Sequence, residues 1–262
     1  MRKYLRLAAI QLRISLASAM AYRANFLIEG VMATASLGLT LLPLIVLYGV
    51  RTDVNGWDLP SALVVMAYFT GLRAVLEGLI SPSLVDLVER IRSGSFDYVL
   101  LKPVDAQAMV SASRYEPWKV FDLLGAIALL IYAFYKRGSA PSPAEIGLGM
   151  GLFVAGALAM YALWIVCAAA SFWVGRLDNL MYLLGAIFDT GRWPVMVLPG
   201  AWRFIFTFVI PIAVMTTFPA MALLGTLKAT TALATIGGTF ALLVVSRLVW
   251  RAAIRSYTSA SS

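Results

Sequence analysis

"IGLGMGLFVAGALAMYALWIVCAAASFWV", residues 146–174, runs for its whole length without a charged side chain. About 20 apolar residues in a helix cross the ~30 Å hydrocarbon core of a bilayer, so this stretch places the chain in a membrane. The composition agrees: 61% of the 262 residues are hydrophobic and only 13% are charged, where a soluble domain carries about a quarter. Working outward, five more stretches have similar character. They are residues 26–50, with Glu29 near the start and Pro43 inside; residues 60–80, holding Arg73 and Glu77; residues 118–135, with Lys119 and Asp122 at the mouth; a fifth beginning near Phe204 and holding Pro211 and Pro219; and residues 232–250.

Six crossings put both termini on one side. Residues 1–25, 81–119, 175–203 and 247–262 then share a side carrying sixteen lysines and arginines, among them Arg176, Arg192 and Arg203, against four opposite (Arg51, Lys136, Arg137 and Lys228). Positive charge collects in cytoplasmic loops, so the termini are expected in the cytoplasm and the chain in the inner (plasma) membrane. This asymmetry accounts for the net charge of +8 without nucleic acid. The outer loops are short. Arginines at 2, 6, 13 and 23 leave no clean apolar core for a cleavable signal. With no histidine, Ser-His-Asp and Cys-His catalysis, two-His zinc sites and histidine proton relays are excluded. Cys167 is the single cysteine, so no intrachain disulfide forms.

Between the second and third stretches lies "VDLVERIRSGSFDYVLLKPVDA", residues 85–106. Leu84, Leu87, Val88 and Ile91 follow helical spacing, with Asp86, Glu89, Arg90 and Arg92 around them; Gly94 ends that helix, and a restart near 96–101 stops at Pro103. Two readings stand. The segment is a connector resting on the membrane surface, or it is a docking element that passes a soluble partner's movement to the second and third spans.

The run "SGSFDYVLLKPV" resembles the cytoplasmic loop of type-2 ATP-binding-cassette (ABC) exporter permeases, in a branch of about 260 residues. The pattern Gly-x-Leu-Asp-x-x-Leu-x-x-Pro falls on Gly94, Phe96, Asp97, Leu100 and Pro103, with phenylalanine in place of leucine and Lys102 where arginine is more usual. A basic amphipathic N-terminal helix, "RWPVMVLPG", and a proline-interrupted fifth span extend the likeness along the chain. The resemblance implies an all-α integral membrane protein forming one permease domain over residues 1–262. Residues 1–25 would be an interfacial elbow helix, residues 84–103 a cytoplasmic coupling segment, and residues 219–231 an outer re-entrant segment serving as gate. It implies export of a small amphipathic, drug-like or lipid-like substrate. The coupling residues would be Asp86, Glu89, Arg90, Arg92, Gly94, Phe96, Asp97, Leu100 and Pro103. The implied partners are an ABC ATPase subunit, a second permease copy or a related permease, and membrane lipid. ATP and Mg would sit on the ATPase; the chain itself contains no G-x-x-x-x-G-K-[ST] loop, and it is expected to bind no cofactor or metal and to catalyse nothing itself.

Other features carry two readings each. Leu5, Ala8, Ala9, Leu12, Leu16, Ala19 and Met20 share one face of the N-terminal helix, fitting an elbow on anionic lipid or a plain anchor. Arg73 and Glu77, four apart, pair structurally or line a gate or substrate path, where Pro211 and Pro219 would also act. Gly147, Gly151, Ala155 and Ala159 let a helix approach closely, within one subunit or across a dimer. Most tryptophans form interfacial belts. The polar tail is expected to be disordered. An ATP-independent secondary transporter would show repeat symmetry, and no convincing repeat is found. An intramembrane lipid-modifying enzyme has little chemistry to draw on.

Overall fold

The computed structural model describes residues 2–21, 23–173 and 178–257, with the side chains of 2–5, 7, 8, 23, 178 and 179 left aside. The tail at 258–262, Arg176, Val174 and the side chains of Leu5 and Ala8 therefore lie outside the described residues. The elements are α1 (Arg2–Ala21), α2 (Arg23–Val50), a two-strand hairpin of β1 (Asp53–Val54) and β2 (Trp57–Asp58), α3 (Leu59–Arg92), α4 (Asp97–Leu100), α5 (Ala106–Val110), α6 (Pro117–Arg137), α7 (Pro143–Ala170), α8 (Asp178–Phe188), α9 (Gly200–Val209), α10 (Ala213–Leu223) and α11 (Ala229–Arg255). The protein is an all-α membrane protein; five of these helices are long and apolar enough to cross a bilayer.

Local chemistry sets the helix ends. Asn55 (φ 53°) and Gly56 (φ 82°) form the two-residue turn joining β1 to β2, because both positions need positive φ. Asp58 caps α3 by accepting from the Ser61 amide at 3.1 Å. Ser142 and Glu145 form a reciprocal capping box at the start of α7. α3 is the centre of the bundle. In its most apolar window 78% of residues are buried, against 6% for α2, whose outer face is left for lipid or another chain. At 1.5 Å per residue its 34 residues extend about 51 Å, some 20 Å more than the hydrocarbon core needs. The charged segment is therefore the second span continued.

The fifth crossing departs from the sequence expectation. α9 and α10 meet at 76° around Pro211, which has no N–H to continue a ladder; Ile210 before it is extended, at φ −117° and ψ 93°. The pair starts and finishes at the end of the molecule that bears the β-hairpin. Just before α9, the Val197 carbonyl lies 3.5 Å from Asn55 Nδ2. After α10, the Leu224 carbonyl accepts from Arg137 at 3.3 Å. α10 runs antiparallel to α7, Leu223 against Gly149 and Met215 against Gly156. Residues 200–223 thus dip into the bundle and return, and residues 219–223 complete that helix instead of beginning a re-entrant turn. The passage across the bundle falls to the preceding residues. Phe172 packs with Phe96 at one end, α8 and a 3-10 turn (Asp189–Arg192) follow, and Val197 reaches the hairpin end. Hydropathy missed this because α8 spans only about 16 Å, whereas residues 200–223 have the length and apolarity of a span but fold back. Arg203, whose guanidinium donates to the Met196 carbonyl, moves to the hairpin end. Arg192 moves inside. The bias of basic residues toward the other end survives.

Candidate functional site

At the end opposite the hairpin, α3 stops at Gly94, whose φ of 73° favours glycine, and the Phe96 amide folds back onto the Arg90 carbonyl at 3.0 Å. Leu84 and Leu87 are fully buried and Val88 and Ile91 partly so, as helical spacing predicts. The charged residues divide. Arg90 donates to Asp86 at 2.8 Å, both partly covered; Glu89 and Arg92 pair at 2.9 Å while each stays about 60% exposed. Leu100 and Pro103 are exposed, as are Tyr98 and Leu101 at 71% and 80%. Tyr98 and Leu101 escaped the sequence reading because two large apolar side chains in a short loop look like core.

Phe96 does not reach the surface. Its ring meets Phe172 at 5.3 Å, Tyr257 at 5.4 Å and Trp250 at 6.4 Å, all edge-on, the geometry that ring quadrupoles favour. These partners stand at the ends of α7 and α11. Burial and Asp97 together raise the Tyr257 phenol above its ordinary pKa. Farther along, Asp105 caps α5 and pairs with Arg247 of α11, whose guanidinium also donates to Gln107 Oε1 at 2.7 Å. Arg247's hydrogen bonds hold the Asp105 carboxyl below the ordinary carboxylate range. Tyr161 of α7 lies 2.7 Å from Ser111 Oγ and 3.2 Å from Gln107 Nε2. The polar segment is therefore covalently continuous with the second span but clamped to the fourth and sixth. The sequence reading attached it to the second and third. The contacts that make the clamp, 142 residues apart for Asp105 and Arg247, leave no local signal.

A second constellation gathers around α3 where it nears this end. Arg73 donates to Glu77 at 2.8 Å, as the four-residue spacing predicts, and also to Asp189 at 3.3 Å. Glu77 in turn accepts from Lys119 at 2.6 Å, Lys119 reaches Asp122 at 3.4 Å, and Arg192 reaches Asp189 at 3.4 Å. Three cations and three carboxylates thus join the second, third and fifth crossings into one neutral chain. A π-turn at Leu76–Ile80 makes it reachable. The Gly78 carbonyl accepts from the Glu116 amide at 2.9 Å, and a Cβ on Gly78 would stand 3.1 Å from that of Lys119. Glu116, just before the third crossing, is raised by its own burial. Pro211 and Pro219 are buried in the dipping pair and make none of the network's ion pairs, although Ile212, next to Pro211, packs against Gly191 between Asp189 and Arg192. In the small-residue stripe, Ala155 and Ala159 are buried but Gly147 and Gly151 face outward; the close approaches are made by Gly149 and Gly156, which the stripe did not include. Among the described residues, no group of three or more metal-ligating side chains occurs.

Comparison with known proteins adds one match. Residues 34–261 fit the family model described as ABC-2 family transporter protein. No curated protein and no solved structure matches the chain.

Proposed function

The chain belongs to the ABC-2 transporter family, and from that premise we propose that it is the permease subunit of an ATP-driven exporter, gripped by a separate ATPase at residues 84–103. Membership makes it a multi-pass transport component, not itself an enzyme, of a family that normally works with an ABC ATPase. The finer reading is ours. Two copies, or one copy with a related permease, enclose a path for a small amphipathic substrate. The end bearing the polar segment faces the cytoplasm, following the excess of basic residues. ATP and Mg reside on the ATPase. α1 lies at the cytoplasmic interface, with Leu12, Leu16 and Met20 uncovered by protein and turned toward lipid.

One observation carries this reading. The polar segment is packed and ion-paired where it joins the bundle and bare where it meets solvent. Phe96 is buried and Asp105, just past the segment's end, is paired with Arg247, whereas Glu89, Arg92, Tyr98 and Leu101 are open. A surface connector has no need of both properties; a lever does. ATPase closure would shift the segment as a body, and the clamp would carry that shift into the fourth and sixth spans, biasing the dimer between inward- and outward-facing states. Asp86, Arg90, Gly94 and Asp97 shape this lever from within, while Leu100 and Pro103 extend its open face. The dipping α9 and α10, with Pro211 at their tip, form the outer gate, and the Arg73–Glu77 network borders the path.

The test is purification of tagged protein from native membranes in mild detergent, followed by mass spectrometry, for wild type and for Tyr98→Ala/Leu101→Ala. A P-loop ATPase present with wild type and depleted at least tenfold with the variant is the expected result. Equal recovery with both, or no ATPase with either, contradicts it.

A further inference from the structure

Two cavities meet at Glu29. The inner one, about 190 Å³, lies between α2, α3 and α6 and has the ion pairs of Arg73, Glu77, Lys119 and Asp122 along one wall. The other, about 390 Å³, opens beside α1 at Ser18 and Ala19 and against the start of α2. Among the described residues, Glu29 and Trp118 alone line both. These two side chains therefore stand between an interfacial cleft and a charged interior.

The charges decide what could pass. Arg73 and Lys119 each hold two carboxylates at 3.4 Å or less, so among the described residues of the inner wall no cation lacks a carboxylate partner. Glu29 makes no ion pair or hydrogen bond among the described residues. With Glu116, whose carboxyl it repels, it stands outside a network whose described ion pairs are balanced. A carboxylate at the edge of a low-dielectric region attracts a cation and repels an anion more strongly than it would in water. Trp118, which lines the same two cavities, supplies an indole, the best aromatic partner for an organic cation. The remaining walls are mixed: Phe26 gives the outer cavity apolar surface beside Ser18 and Asn25, and Met32 and Leu37 line the inner one beside Ser36, Thr40 and Thr70.

We propose that Glu29 and Trp118 form an entrance through which the chain takes up an organic cation with an apolar tail from the membrane interface. This rests on the transport reading and adds the substrate's charge class. The inner cavity is the size of a small ammonium head, and the cleft beside α1 accommodates the start of its tail.

The test is equilibrium dialysis of the full chain, in nanodiscs of zwitterionic lipid, with radiolabelled decyltrimethylammonium or decyl sulfate. Binding to empty nanodiscs is subtracted. Wild type is expected to bind the cation at least tenfold more tightly than Glu29→Gln, with Glu29→Asp within about threefold of wild type and decyl sulfate bound by wild type no more tightly than by Glu29→Gln. Equal cation binding by wild type and Glu29→Gln, or sulfate binding as tight as the cation's, overturns the proposal. Glu29→Gln preserves side-chain shape, and an unchanged melting temperature shows that it folds. No ATPase or nucleotide enters the assay. Cation binding through Glu29 without ATPase association would sink export alone; ATPase association with Glu29-independent binding would sink this entrance alone.

Discussion

Gly78 is small because Lys119 must come close. Its missing Cβ lets the turn before α6 settle on the π-turn of α3, and that contact delivers Lys119 to Glu77. Gly78→Val forces the two helices apart and is expected to cost about 1–3 kcal/mol, seen as a lower melting temperature in detergent. The same reasoning applies to the charges. Lys119→Met leaves Glu77 to Arg73 alone and the network with three carboxylates against two cations; it should destabilise more than Lys119→Met/Glu77→Gln, which restores the balance, since an uncompensated charge costs more than a lost pair. The Arg73–Glu77 pair was legible in the sequence because four residues make one helix face. Its extension to Asp189 and Arg192 was not, since nothing local places residue 189 beside residue 73.

At the scale of elements, the clamp is the feature that matters. Phe96→Ala removes a ring from a filled aromatic cluster and should cost about 3–5 kcal/mol; Phe96→Leu should cost less. Asp105 and Arg247 should show a coupling energy of about 0.5–3 kcal/mol in a double-mutant cycle. Because the folded Asp105 carboxyl is depressed, that contribution is present in full at neutral pH. It fades as pH falls below about 4, through the folded-state pKa. The dipping pair α9–α10 makes a topological prediction. A membrane-impermeant thiol reagent should label Ala201→Cys and Thr226→Cys from the same side, the side that labels Asn55→Cys. Labelling from opposite sides would restore a simple fifth span. Composition and periodicity located five spanning helices and the helix break at Gly94, but ended the second at residue 80, where the helix runs on to Arg92. They misassigned the fifth because apolar length says how far a helix can reach, not whether a proline turns it back.

For the whole molecule, the division of labour follows from what is buried and what is bare. α3 and α7 form the core, α2 and part of α6 remain open, and the polar segment joins the core to solvent. Membership of the ABC-2 family was legible from an ordered set of loose motifs, whereas the lever's attachment required three-dimensional contacts. The measurement that bears most directly on the lever is site-specific cross-linking in native membranes. It uses a Cys167→Ser background carrying Leu101→Cys or Asn55→Cys and a short membrane-permeant bismaleimide. A covalent adduct with a P-loop ATPase at Leu101→Cys and none at Asn55→Cys is the predicted result. No ATPase adduct at Leu101→Cys, or one formed only at Asn55→Cys, would contradict both the orientation and the proposal that this segment is what the motor grips.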